Sequence, residues 1–114
     1  NVLRSGERYN SAAADWSFLP IGTVFRIRGH GPTYFVVDDY GSALTGKGVV
    51  DLYFETTEEM NRWGARKVEI EILRVGDYRA SYRILLDRIR YRHCYQMAKR
   101  IYDRYQKLSQ ADSG

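Results

Sequence analysis

Apolar and polar residues alternate from Thr23 to Arg28 (T-V-F-R-I-R), and a period of two predicts a half-buried strand. Gly29-His30-Gly31-Pro32 reads as a turn. The run Tyr34 to Val37 (Y-F-V-V) that follows suits a strand buried on both faces. Gly41, Gly46 and Gly48 mark a loop. Val49 to Phe54 (V-V-D-L-Y-F) reads as a short strand with one charge, Asp51, in its middle. Thr57-Glu58-Glu59-Met60 has the form of a helix start, a hydroxyl cap followed by acids in the first turn, and Gly64 would end that helix. Arg66 to Leu73 (R-K-V-E-I-E-I-L) alternates most cleanly of all and predicts a further strand.

Beyond Gly76 the period changes. No Gly or Pro occurs from Ser81 to Leu108. Tyr91, Cys94, Ala98, Ile101, Tyr105 and Leu108 recur at spacings of three and four, with Ile84, Leu85 and Ile89 extending the stripe backwards. This predicts one amphipathic helix of about seven or eight turns, with residues 109–114 as a frayed tail. Such a helix would reach roughly 40 Å, farther than a small domain is wide. Its second half is therefore expected to find a partner, by self-association through residues 91–108 or by folding back over the rest of the chain. No internal repeat or low-complexity segment is visible.

With 114 residues, 44% of them hydrophobic and 28% charged, the chain has the composition of one globular domain. Ten tyrosines and two tryptophans are many for this length, and such rings suit core edges and carbohydrate grooves alike. One cysteine, Cys94, excludes an internal disulfide. The longest apolar stretches are too short to span a membrane. The start at Asn1 is what a mature or trimmed product would have. Charge is uneven: residues 1–80 carry a net −1 and residues 81–114 a net +5, so the basic character belongs to the C-terminal segment.

Three carboxylates stand out. An unpaired charge at Asp51, between Val50 and Leu52, would be costly to bury. Asp39 lies at the other end of the glycine-rich loop, and Asp15 precedes the first strand. Singly, each reads as a turn residue or cap. In context they resemble a pattern. Asp15 to Thr23 (D-W-S-F-L-P-I-G-T) is similar to D-P-x-x-I-P-L-G-T, and Asp39 to Leu44 (D-Y-G-S-A-L) to D-T-G-G-A-I. Val50 to Phe54 (V-D-L-Y-F) is similar to I-D-L-Y-F, and Trp63-Gly64-Ala65-Arg66 with the alternating run after it to a closing f-G-x-r-x-v-x-V-x-V-L. Tyr9 aligns loosely with a first-strand tyrosine. Together these pieces, in order across residues 15–73, resemble the three-aspartate (3D) domain of membrane-bound lytic transglycosylases and stationary-phase muralytic factors. Thr45 stands where that family has a loop lysine, Lys47 lies two positions on, the loop is one residue longer, Trp16 replaces a proline and Tyr40 a threonine.

The resemblance implies a mainly β fold with added helices. A six-stranded double-psi β-barrel would occupy residues 1–78, including one short helix, with the long amphipathic helix at 79–108. It also implies an exported bacterial cell-envelope domain that cleaves peptidoglycan as a lytic transglycosylase and needs no cofactor. In that chemistry the muramic 6-hydroxyl, not water, attacks the anomeric carbon, so one carboxyl group serves first as acid and then as base. Asp51 takes that role by resemblance and Asp39 is its catalytic partner, orienting it or raising its pKa. Asp15 is expected to brace the adjoining loop, and Tyr40, Thr45, Lys47 and Tyr53 to contact substrate.

Other chemistries are poorly served. His30 and His93 lack metal-ligand spacing, so no metal is expected. Cys94 sits in the helical stripe and reads as a small core residue. Gly41 to Gly48 lacks the G-K-[ST] ending of a phosphate loop. The basic helix reads first as a solvated face, then as attracted to an anionic wall polymer or lipid surface, and last as a nucleic-acid binder. A different class of function keeps the fold without catalysis: a module gripping wall glycan with Tyr34, Tyr40, Tyr53 and Trp63, or scaffolding an assembly.

Overall fold

The computed structural model describes residues 9–113. The first eight residues of the expected barrel unit, and Gly114, lie outside the described residues. Five strands are present: β1 (Tyr9–Ala13), β2 (Val24–Ile27), β3 (Tyr34–Asp39), β4 (Asp51–Leu52) and β5 (Ile70–Arg74). They form one mixed sheet in the order β4-β1-β3-β2-β5. β1 runs parallel to β3, and the remaining pairings are antiparallel.

The alternation in β2 places Phe25 and Ile27 inward, where they are fully buried, and leaves Arg26 outward to bridge Glu71 of β5 at 3.0 Å. β3 alternates as well: Phe35 and Val37 are buried, Tyr34 and Val36 only half-buried. It is therefore one-sided rather than covered on both faces. Phe25 stacks on Phe35 with ring centroids 5.4 Å apart. α1 (Thr57–Trp63) is capped by Thr56, whose side chain accepts from the Glu59 amide, one residue before the expected cap. Gly64 ends the helix at φ +63°.

Two expectations are corrected. The sheet is open, with five strands among the described residues, and is not a closed six-stranded barrel. β4 has only two residues, and of the alternating segment 66–73 only Ile70 onward joins β2. Arg66, Lys67 and Val68 instead line a cleft that separates the two edges of the sheet. The single long helix is also replaced by two: α2 (Tyr78–Leu86) and α3 (Arg92–Ser113). Local backbone bonds from Arg88 to Leu85 and from Tyr91 to Arg88 turn the chain between them. α3 then folds back, burying Cys94, Met97, Ala98 and Ile101, while Tyr91, Tyr105 and Leu108 of the same stripe are exposed. Helix continues through the expected tail as far as Ser113.

The hairpin docks where the chain crosses itself. The Gly76 amide donates to Thr23 Oγ1, the Asp77 amide to the Ile21 carbonyl, and the Ile21 amide to Ser81 Oγ. A Cβ on Gly76 would lie 2.2 Å from the Ile21 carbonyl oxygen and 2.4 Å from the Thr23 nitrogen, so only glycine fits that crossing.

Candidate functional site

The three aspartates have three different surroundings. Asp15 is 2% exposed. Its Oδ1 accepts from the Ser17 amide at 2.8 Å and the Ser17 hydroxyl at 2.6 Å. Its Oδ2 accepts from the Gly46 amide at 2.7 Å and from Arg100 Nη1 at 3.1 Å. A buried carboxylate satisfied on both oxygens and paired with a guanidinium is a structural anchor. It ties the turn after β1, the glycine loop and α3 to one point. Gly46 takes φ +80°, and a Cβ there would crowd the Arg100 guanidinium at 3.2 Å.

Asp39 ends β3. Its carbonyl accepts from the Trp16 indole at 2.9 Å and from the Ala14 amide at 3.2 Å, and its Oδ1 accepts from the Tyr40 amide at 2.8 Å. The neighbouring Asp38 instead accepts from the Ser11 hydroxyl at 2.6 Å. Asp51 is exposed, and its side chain makes no hydrogen bond or ion pair among the described residues. The register relates Asp39 and Asp51: Ala13 of β1 pairs with Asp39 on one side and with Asp51 on the other. Two strand spacings put their Cα atoms roughly 10 Å apart, at one level of the sheet. Asp51 lies between two apolar residues without being buried, because β4 is the edge strand and turns this residue to solvent.

The remaining residues singled out in the sequence divide between packing and open surface. Tyr40 packs edge-on against Trp16 at 4.9 Å, and its hydroxyl accepts from Arg88 Nη1 at 2.6 Å. Burial raises the Tyr40 phenol above its ordinary value, a hydrogen bond with the Cys94 side chain adds to this, and Arg88 works the other way. The same bond to Tyr40 raises Arg88 in turn. Tyr40 thus joins the sheet to the hairpin. The Thr45 hydroxyl donates to the Gly41 carbonyl and closes the glycine loop. Tyr53 is 62% exposed, beside Ser11, Glu55 and Glu59 in a polar groove of about 540 Å³. Lys47 lies at the larger cleft, about 750 Å³, whose walls include Val50 and Leu52 on one side and Val68 and Ile70 on the other. His30 packs on Trp63 and His93 on Tyr40. Among the described residues no group of His, Cys, Asp or Glu could hold a metal ion.

Arg100 and Arg88 carry much of this architecture, and nothing in the sequence distinguished them from the other basic residues of the C-terminal segment. The 85-residue separation between Arg100 and Asp15 leaves no local pattern to read.

Strand order, the buried first aspartate and the paired level of the other two define a small mixed-sheet domain with an open carboxylate surface. The 3D domain family model matches residues 10–74, 65 of the 114 residues, and the chain belongs to that family. No significant match was found among curated proteins or among solved structures.

Proposed function

We propose that the domain cleaves peptidoglycan glycan strands as a lytic transglycosylase at the cell envelope, with Asp51 as the acid and then the base. The observation that carries this reading is the placement of Asp39 and Asp51 on either side of Ala13, beside the exposed ring of Tyr53. A glycan strand laid along that surface brings sugar onto β4 and excludes water from Asp51. The reaction draws on Asp51 in its acid form at the moment the glycan is bound. Asp51 then gives its proton to the glycosidic oxygen as the bond to the anomeric carbon breaks. Its carboxylate next takes the proton of the 6-hydroxyl as that oxygen closes the anhydro ring. Asp39 adds negative charge at the same level, and Tyr53 offers an aromatic face to a sugar ring.

The test is mass spectrometry of the material released from purified peptidoglycan. The expected products end in 1,6-anhydro-muramic acid, and Asp51→Asn releases none while keeping its fold. Reducing ends would make water the nucleophile and Asp39 a second catalytic carboxylate. The exposure of Asp51 in the free protein favours one alternative, a glycan-binding module without turnover. That reading is adopted if the chain pellets with wall material and releases nothing.

A further inference from the structure

Between the two edges of the sheet lies a cleft of about 750 Å³. Leu19, Val50, Leu52, Trp63, Val68 and Ile70 supply its apolar walls. Phe18 and Val49 also line it and stay about half exposed, at 53% and 47%. Its polar side chains are mostly cationic: Lys47, Arg66 and Lys67. None of these three has a carboxylate partner among the described residues, and the one carboxylate in the lining, Asp15, is already committed to Ser17, Gly46 and Arg100. Arg66 is held by the Trp63 carbonyl at 2.8 Å, the Arg62 carbonyl at 3.2 Å and the Trp63 ring 4.1 Å away, so Lys47 and Lys67 are the cations open to a ligand. An apolar trough with two such cations is complementary to an anionic ligand that has small apolar parts.

The location narrows the ligand. Val50 and Leu52 face the cleft, and Asp51 between them, exposed and outside the cleft lining, faces the other way, as alternation along a strand requires. β4 is an edge strand, so one strand's thickness separates the cleft from the carboxylate surface. A branched ligand lying over Asp51 could pass a side branch across this edge without crossing the core. Edge strands also offer backbone hydrogen-bonding groups to an extended segment.

We infer that the cleft binds the acidic, alanine-containing peptide stem of wall glycan, its methyl groups against the apolar walls and its carboxylates at Lys47 and Lys67. This rests on the glycan reading of the Asp51 surface and adds a substrate preference to it: glycan strands that still carry peptides are held at two places, and denuded strands at one.

The experiment is an NMR titration of the intact chain with the soluble acylated tripeptide N-acetyl-L-Ala-γ-D-Glu-L-Lys, which is anionic like the stem, contains no sugar and cannot be cleaved as glycan. Amide shifts are expected at Val50, Leu52, Val68 and Ile70 and at the Trp63 indole. Lys47→Glu/Lys67→Glu is expected to weaken binding about tenfold or more while its spectrum keeps the dispersion of a folded chain. Should that variant not fold, Lys67→Gln alone replaces it, with a smaller weakening expected. Absence of shifts at about 5 mM peptide, shifts confined to other surfaces, or a tighter response to decanoate than to the peptide would overturn the inference. The last result would make the cleft a site for acyl chains. The outcome is separable from that of the glycan cleavage assay. A chain that forms anhydro ends but ignores the tripeptide keeps the Asp51 reading and loses this one.

Discussion

The junction around Asp15 and the edge around Asp51 hold the same functional group under opposite conditions. Asp15 is enclosed, with four donors on its two oxygens, one of them the Arg100 guanidinium of α3. Asp51 stands on a two-residue edge strand and is exposed. Burial without partners would cost several kcal/mol, so the enclosed carboxylate is useful only as a joint. The open one keeps its bonding capacity for a ligand. The domain places its hydrogen bonds where connections converge and leaves the sheet edge uncommitted, which is how a small fold combines rigidity with an accessible site.

Substitutions can break that contrast. Gly76→Ala should have the largest effect, because its Cβ would meet backbone atoms that cannot rotate away. A loss of about 3 kcal/mol or more is expected in urea unfolding. Asp15→Asn is next. An amide keeps one acceptor but points N–H groups at existing donors and leaves Arg100 without its countercharge. Because Arg100 is partly solvated, the expected loss is about 2–3 kcal/mol rather than the full cost of a broken buried pair.

Tyr40→Phe should destabilise less and be read best through pH. The Tyr40 phenol is raised above 10.0 in the folded protein, by burial first and then by Cys94. Its neutral form is therefore favoured by folding. The associated stability is fully present below the unfolded tyrosine value and is lost as pH rises past it through the folded value. The phenylalanine variant should lose this part of the alkaline decline, which urea midpoints measured on both sides of pH 10.0 will show. Asp51→Asn sits at the far end, with a change within about 0.5 kcal/mol despite abolished cleavage. A large stability loss there would mean that Asp51 has a structural duty and would remove the contrast.

Much of the sheet was readable from the chain. The periods at 24–27 and 70–73 and the capped helix before Gly64 appear close to where alternation and turn chemistry put them. β1 was harder, since Asn-Ser-Ala-Ala carries almost no strand propensity and is stabilised by neighbours on both sides. The break between α2 and α3 was invisible. Asp87 to Tyr91 contain no glycine or proline, and both helices face one core, so the apolar stripe carries on across the turn. The bond from Arg88 to Tyr40 that accompanies this turn is a tertiary contact across 48 positions. Of the site, the aspartates stood out through their sequence context. Their different burial could not be read, because it depends on which strand forms the edge and on where the helical hairpin lands.

The clamp on Asp15 also sets an order of events during synthesis. β1 and the turn holding Asp15 leave the ribosome before the helical hairpin, and the guanidinium that completes this pocket arrives 85 residues later. At about 5–20 residues per second, the carboxylate waits several seconds in water before Arg100 exists. Until then, closing the glycine loop over Asp15 would bury a charge with no counterion. The nascent sheet therefore gains little from early closure, and the Asp15 pocket is completed only when α3 arrives. A nascent chain stalled before Arg100 should remain open to protease in its glycine loop, and one released just past it should not.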